Sequence, residues 1–278
     1  MMKILITGGN GNISKIIKRN LSNKYDLYTP SHSELDILNF ENLKKYIENI
    51  KPDIIIHTAI LGGRRTKEET SDVFYKNIIM FENILKLNFS GMIINFDSAA
   101  IYDRKTDILN RKENELNTIP TDYYGFSKYV IYQRSLQFNN IYNFRIFNIF
   151  HAFEENDRFI KACFLAKKNN IEFTINEDKY FDFIYEDDFV KIIDYYLENY
   201  NKTYLIKTIN ICYEKKYKLS DIVKIIENIG EYKIINYKIL NSDLKNNYSG
   251  DNTLLNSIKK IEFDGLEKSL EKYNKLII

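Results

Sequence analysis

The stretch that decides the fold is KILITGGNGNIS, residues 3–14. KILIT is an apolar run of the length of one buried strand. It stops at Thr7-Gly8-Gly9, and a helical period then begins, with apolar residues at 13, 16, 17 and 21. Strand, glycine turn and helix in that order form the context in which a dinucleotide's pyrophosphate is held. Gly8 fits the tight turn and Gly11 the close backbone approach. Ser14 takes the third position, where the helix packs on the strand. A helix starting near Asn12 offers free N–H groups and a positive dipole end to a phosphate. A purely structural turn is the alternative.

Outward from this turn the pattern alternates. DLYT (26–29) reads as a strand, FENLKKYIENI (40–50) as a helix ended by Pro52, and DIIIHTA (53–59) as a strand buried on both faces. SDVFYKNIIMFENILKL (71–87) reads as a helix and GMIINFDS (91–98) as a strand. A helix from 123 to about 138 and the strand NFRIFN (143–148) follow. Such alternation implies right-handed crossovers. The fold class expected is α/β: a Rossmann-type doubly wound parallel sheet with a smaller mixed α+β C-terminal substrate lobe. That lobe reads as a helix at 158–168, strands at 172–175 and 182–185, a helix at 187–199, a strand at 203–212, a helix at 219–229 and a strand at 233–239. The domains expected are 1–150 and 151–278, with about 187–212 packing back onto the sheet.

Composition narrows the function. The chain has 278 residues, 44% of them apolar, and a formal net charge of +2. There is no overall field to attract nucleic acid or anionic lipid. The basic pairs Arg64-Arg65 and Lys215-Lys216 read as solvated surface. Cys163 and Cys212 are far apart, in apolar surroundings, and read as reduced buried thiols. His32, His57 and His151 are scattered, so no metal site is expected. The N-terminal apolar run is too short for a signal peptide, and no later run is long enough to span a bilayer. A cytoplasmic location is expected, with no membrane or nucleic-acid partner.

Three further features bear on chemistry. TDYYGFSKY (121–129) puts Tyr124 and Lys128 four apart, on one helix face. An ammonium beside a phenol lowers its pKa from about 10. Taken alone, the pair is weak evidence and reads rather as a solvated lysine beside a half-buried tyrosine. Ser98 ends a strand, where open α/β sheets carry site residues, although turn serines are common there too. The tip of the second strand, Thr29-Pro30-Ser31-His32, lacks the acid that would accept from a ribose 2′-hydroxyl. Ser31 and His32 can instead donate to a 2′-phosphate, which favours NADP(H) and leaves NAD(H) open. Asp36 reads as an acceptor from an adenine amino group or as a turn residue.

The matching residues cover nearly the whole chain: ITGGNGNIS at the start, IIIHTAI (54–60), Asn77, INFDSAAIYD (94–103), DYYGFSKY (122–129), FRIFNIF (144–150), FDFIYEDD (181–188) and YSGDNTLL (248–255). Together they resemble the extended short-chain dehydrogenase/reductases, the NAD-dependent epimerase/dehydratases of nucleotide sugars. HTAILGGRR (57–65) looks most like GDP-fucose synthase and related 4-keto-sugar reductases. The resemblance implies Tyr124 as acid–base, Lys128 on the nicotinamide ribose, and Ser98 on the reacting oxygen. It implies cofactor contacts at Gly8, Asn10, Gly11, Asn12, Ile13, Ser31, His32, Asp36, Ile37, Thr58, Ala59 and Asn77. Substrate contacts would come from Arg64, Ser98, Asn148, Arg158 and Lys161.

Departures from the family narrow this further. Its dehydratases carry an Asp-Glu pair after the serine, where this chain has Ala99-Ala100. GDP-fucose synthase has an epimerising cysteine at the position of Ala100. The arginine of the family's RDFIYVDD is Phe181 here. Arg158 or Lys161 takes over its diphosphate role, or the nucleotide is held differently; both could equally be surface residues. The expected function is therefore an NADPH-dependent reductase of a nucleotide-activated 4-keto sugar or heptose for surface polysaccharide, without C3/C5 epimerisation. An NAD-dependent 4-epimerase and a non-catalytic cofactor-sensing protein are the alternatives. A homodimer is expected through helices 71–87 and 123–138; Val73, Phe74, Ile78 and Phe81 on the first read either as part of that interface or as core facing the sheet.

Overall fold

The computed structural model describes residues 1–64, 68–231, 233–243 and 246–277. Arg65, of the basic pair noted above, lies outside the described residues. From the N-terminus run β1 (Lys3–Thr7), α1 (Asn12–Leu21), β2 (Asp26–Tyr28), α2 (Phe40–Ile50), β3 (Ile54–His57), α3 (Ser71–Lys86) and β4 (Met92–Ser98). Then come β5 (Ile108–Arg111), α4 (Tyr123–Ser135), β6 (Ile141–Ile146), β7 (Ile149–Phe150), α5 (Phe159–Asn169), β8 (Phe173–Glu177), β9 (Ile184–Tyr185) and α6 (Glu186–Glu198). The chain continues through β10 (Thr208–Ile211), α7 (Leu219–Glu227), β11 (Tyr237–Asn241), β12 (Tyr248–Gly250), α8 (Thr253–Asn256) and α9 (Gly265–Ile277).

The chain divides into two compact units. The first comprises 1–103, 116–145 and 193–209. It is built on a six-stranded parallel sheet of order β10-β6-β4-β3-β1-β2, flanked by helices in the Rossmann manner. Ile4, Leu5 and Ile6 of β1 and Ile54, Ile55 and Ile56 of β3 have no exposed surface. Consecutive rather than alternating burial is what a sheet covered on both faces demands. On one side Leu5, Ile55 and Ile93 pack with Leu43, Ile84 and Ile131 of the helices. Ser14 is buried on the inner face of α1, as the helix-packing position requires.

The second unit comprises 104–115, 146–192 and 210–278. It carries three two-stranded pairings, β5 with β12, β7 with β9 and β8 with β11, all parallel. Tyr273 of α9 lies at its centre, 5.4 Å from Phe150 and 5.8 Å from Phe164 between ring centroids.

Several expected boundaries shift. The strand placed at 203–212 is Thr208–Ile211, the one at 143–148 is Ile141–Ile146, and the one at 233–239 is Tyr237–Asn241. The helix placed at 123–138 stops at Ser135, whose hydroxyl bonds the carbonyl of Tyr132 at 2.6 Å. Among the described residues no helix is long and apolar enough to cross a membrane, and no His, Cys, Asp and Glu group could hold a metal.

Candidate active site

The glycine turn is set by space. Gly8 has φ +70°, and a Cβ there would lie 2.9 Å from the Ala59 backbone. Gly8 thus needs both the left-handed conformation and the missing side chain. The N–H of Gly11 donates to the Gly8 carbonyl at 2.8 Å and closes the turn. Gly11 then caps α1 with no side-chain bond and no acid in the first turn. The opening N–H groups of α1 are left for a ligand. Beside them is a cavity of about 560 Å³, lined by Gly8, Asn10, Gly11, Asn12 and Ile13 on one side. His32, Asp36, Ile37, Thr58 and Ala59 line it too. A side-chain-free cradle, an uncapped helix and an adjoining apolar slot fit a dinucleotide.

Three cofactor candidates have other tasks in the structure. Asn77 is fully buried, and its amide accepts from Leu61 N–H at 2.9 Å and donates to the Leu61 carbonyl and to Ser127 Oγ. It fixes the loop after β3 instead of lining the cavity. Asp36 accepts from Leu38 N–H at 3.0 Å, a turn role it fills while also lining the cavity. Ser31 donates both its N–H and its hydroxyl to the Glu34 carboxylate, at 2.7 and 2.8 Å. These bonds hold the Glu34 carboxyl below the usual range. An acid therefore stands at the strand-2 tip after all, three residues later than the usual place. We expect Glu34→Gln to raise the affinity for NADPH relative to NADH about fivefold, the size of one removed like-charge contact in water. Fluorescence titration of both cofactors measures it, and an unchanged ratio would rule Glu34 out as a discriminator.

The catalytic candidates all lie in the first unit. Asp122 caps α4 by accepting from Gly125 N–H at 2.8 Å, so Tyr124 sits in the first turn and Lys128 one turn on. Gly125 allows α4 to approach the 3-10 turn after β4, since a Cβ there would be 2.8 Å from the Ala100 carbonyl oxygen. That approach brings Tyr124 toward the end of β4, where Ser98 stands. Ser98 Oγ accepts from Ala100 N–H at 3.2 Å. Lys128 is buried; its ammonium lies 5.8 Å from the centre of the Tyr124 ring and donates to the Phe96 carbonyl at 2.5 Å. Burial pushes its pKa down to about 8, against the opposing pull of Asp97.

Glu69 was not singled out from sequence. Its carboxylate accepts from Gly63 N–H at 2.7 Å and Tyr124 N–H at 3.1 Å. It draws the loop after β3 onto the tyrosine, where a Cβ on Gly63 would lie 3.0 Å from the ring. Gly9 was missed as well: a Cβ there would lie 2.2 Å from the Thr29 carbonyl oxygen. Ala99 and Ala100 are buried and bring no acid or thiol beside Ser98.

The substrate candidates divide between the units. Arg64, half-buried, belongs to the first. In the second, Arg158 donates to Asn148 Oδ1 at 2.8 Å, while Lys161 donates to the Glu154 carbonyl at 2.6 Å. Phe181, at the family's arginine position, packs on Phe183 and Tyr248 with ring centres 4.9 and 5.1 Å away.

Residues 4–212 match the family model described as the NAD dependent epimerase/dehydratase family. The chain is 26% identical over 262 residues to a GDP-L-colitose synthase of Yersinia pseudotuberculosis, covering 84% of this chain and 83% of that one. It is 28% identical over 254 residues to a GDP-6-deoxy-D-talose 4-dehydrogenase of Aggregatibacter actinomycetemcomitans, covering 84% and 82%. Among solved structures, a GDP-mannoheptose C4 reductase from Campylobacter jejuni with NADP bound superposes with a TM-score of 0.82 at 17% identity, over 99% of this chain and 97% of that one.

Proposed function

The chain belongs to the NAD dependent epimerase/dehydratase family, and on that premise we propose that it is an NADPH-dependent reductase of a GDP-linked 4-keto deoxysugar or heptose. The observation that carries the reading is Tyr124 and Lys128 on one turn of α4, with Ala99-Ala100 in place of any second acid–base pair. The relatives' names support GDP as the nucleotide and C4 as the carbon.

A bound nicotinamide supplies the hydride. The protein's part is proton and charge control. Ser98 donates a hydrogen bond to the ketone oxygen and orients it. Tyr124 gives its phenolic proton to that oxygen as C4 accepts the hydride, so ketone becomes secondary alcohol. Lys128 holds the ribose and stabilises the phenolate left on Tyr124. The buried methyls of Ala99 and Ala100 cannot move a proton at neighbouring carbons, so reduction is expected without epimerisation.

The test is loss of reduced-nicotinamide absorbance with NADPH and a panel of GDP-, dTDP-, UDP- and CDP-linked 4-keto sugars. Stoichiometric loss with a GDP-sugar is expected. Inversion at C4 with no net loss, and NAD carried by the purified protein, would replace the reading with a 4-epimerase.

The proposal includes a dimer. The exposed apolar residues of α3 are Tyr75 and Ile79, 61% and 45% exposed. Phe81, which the sequence offered either for the interface or for the core, is in the core at 1%. Light scattering should give twice the chain mass, falling toward one chain mass in Tyr75→Glu/Ile79→Glu.

A further inference from the structure

β4 ends in Phe96-Asp97-Ser98, and Asp97 is the charged residue of this largely apolar strand, 3% exposed. A carboxylate so deep persists only if paired and hydrogen-bonded. Both its oxygens are engaged. Oδ2 accepts from Arg145 Nε at 2.7 Å, and Oδ1 accepts from the Ser98 backbone N–H at 2.8 Å. Arg145, on β6, has no exposed surface and donates Nη1 to the Tyr102 hydroxyl at 2.6 Å. Its guanidinium lies 4.8 Å from the ring centres of both Tyr102 and Tyr132. The pair is thus gripped by β6, by the turn after β4 and by α4. On its other side, the Lys128 ammonium bonds the carbonyl of Phe96, the residue just before Asp97.

The groups facing Lys128 can be named. Tyr124 lies on its own helix, His57 on β3, Asp97 on β4, and Arg145 behind Asp97. His57 is buried with its Nδ1 2.9 Å from Thr7 Oγ1. Burial, and then the charge of Lys128, hold its pKa down to about 3, so it stays neutral at physiological pH. Asp97 is the anion that offsets the burial of Lys128.

We propose that Asp97, anchored by Arg145, is a positioning residue: it keeps the Lys128 ammonium charged and fixes Ser98 at the strand end. The first half concerns Lys128 itself; the consequence for turnover rests on the reductase reading. The sign follows from the charges. Lys128 is charged below its pKa, and removing the Asp97 charge lowers that pKa further. The ammonium is then lost at a lower pH, and activity on the alkaline side falls with it.

The test is Asp97→Asn, with the double variant Asp97→Asn/Arg145→Met in parallel, because the single change strands a buried guanidinium. Circular dichroism and thermal unfolding identify which variant is folded. NMR of protein carrying 13C-labelled lysine follows the Lys128 Cε resonance through a pH titration, assigned by its absence in Lys128→Met. In Asp97→Asn its midpoint should fall by about one pH unit; in the double variant, which removes the Arg145 cation together with the Asp97 anion, it should fall by less; in either variant the alkaline limb of kcat should move with it. An unmoved Lys128 midpoint overturns the proposal. A moved midpoint with an unmoved kcat limb overturns its role in turnover. If the midpoint moves but wild-type protein reduces no keto sugar, the charge coupling stands and the reductase reading fails.

Discussion

Replacing Tyr124 by phenylalanine should lower kcat about 10³-fold, the usual contribution of a positioned general acid, while NADPH binding stays within about twofold and the fold is kept. The change removes one oxygen. The ring remains to pack under Gly63, and the Asp122 cap and the Glu69 bonds to the backbone N–H groups of Gly63 and Tyr124 are untouched. Lys128 keeps its bond to the Phe96 carbonyl and, with it, the position from which we propose it holds the ribose. What is lost is the proton that the ketone oxygen needs as C4 accepts hydride. KM should change little, because the missing bond is stronger in the transition state than in the ground state. Single-turnover NADPH oxidation, with fluorescence titration of the cofactor, separates the two effects. Activity within tenfold of wild type would mean that the proton comes from elsewhere. The reading of α4 as the catalytic helix would then fall.

The parts of this site legible in the sequence are those carried by local spacing. Gly8 and Gly11 after an apolar strand, and Tyr124 four before Lys128, each lie within a single turn or helical step. The consecutive apolar residues of β1 and β3 announce a doubly covered sheet for the same reason, since burial on both faces leaves no polar alternation. The unread parts are long-range. Asp97 meets Arg145 across the sheet, Glu69 meets the N-terminus of α4, and Gly9 meets Thr29. A sequence pattern shows which face a residue occupies but not what stands opposite. Glu34 was near enough to Ser31 to be noticed, yet nothing in the spacing shows that its carboxylate folds back onto the strand tip. The second unit was least legible because its strands are short. β5 and β12 find each other only in the folded chain, where Tyr248 pairs with Ile108 and Gly250 with Arg111, 140 and 139 residues apart. α9 was not read at all, although its Leu266, Leu270 and Tyr273 form a buried face.

The last prediction turns on one of those long-range contacts. Gly9→Ala should lower stability by about 1–3 kcal/mol, as overpacking does, and weaken NADPH binding by about tenfold, ~1.4 kcal/mol. A Cβ on Gly9 would stand 2.2 Å from the Thr29 carbonyl oxygen, 2.6 Å from its carbon and 2.7 Å from the Pro30 oxygen. All three are backbone atoms, so no side-chain rotation relieves the clash. The Gly9 N–H also donates to the Pro30 carbonyl at 3.0 Å. Something must move, and β2 is the element that can: it has three residues and lies at the edge of the sheet. The segment after its tip carries His32, Leu35 and Asp36, which line the cavity next to α1, so the displacement is felt there. Gly265→Ala makes the control. Gly265 has φ +76° and nothing within 4 Å of its would-be Cβ, so alanine there meets backbone strain alone. Both variants should unfold at lower temperature than wild type, but only Gly9→Ala should lose cofactor affinity. Equal losses of affinity in the two would show that general destabilisation, not the approach of β2 to the glycine turn, governs binding.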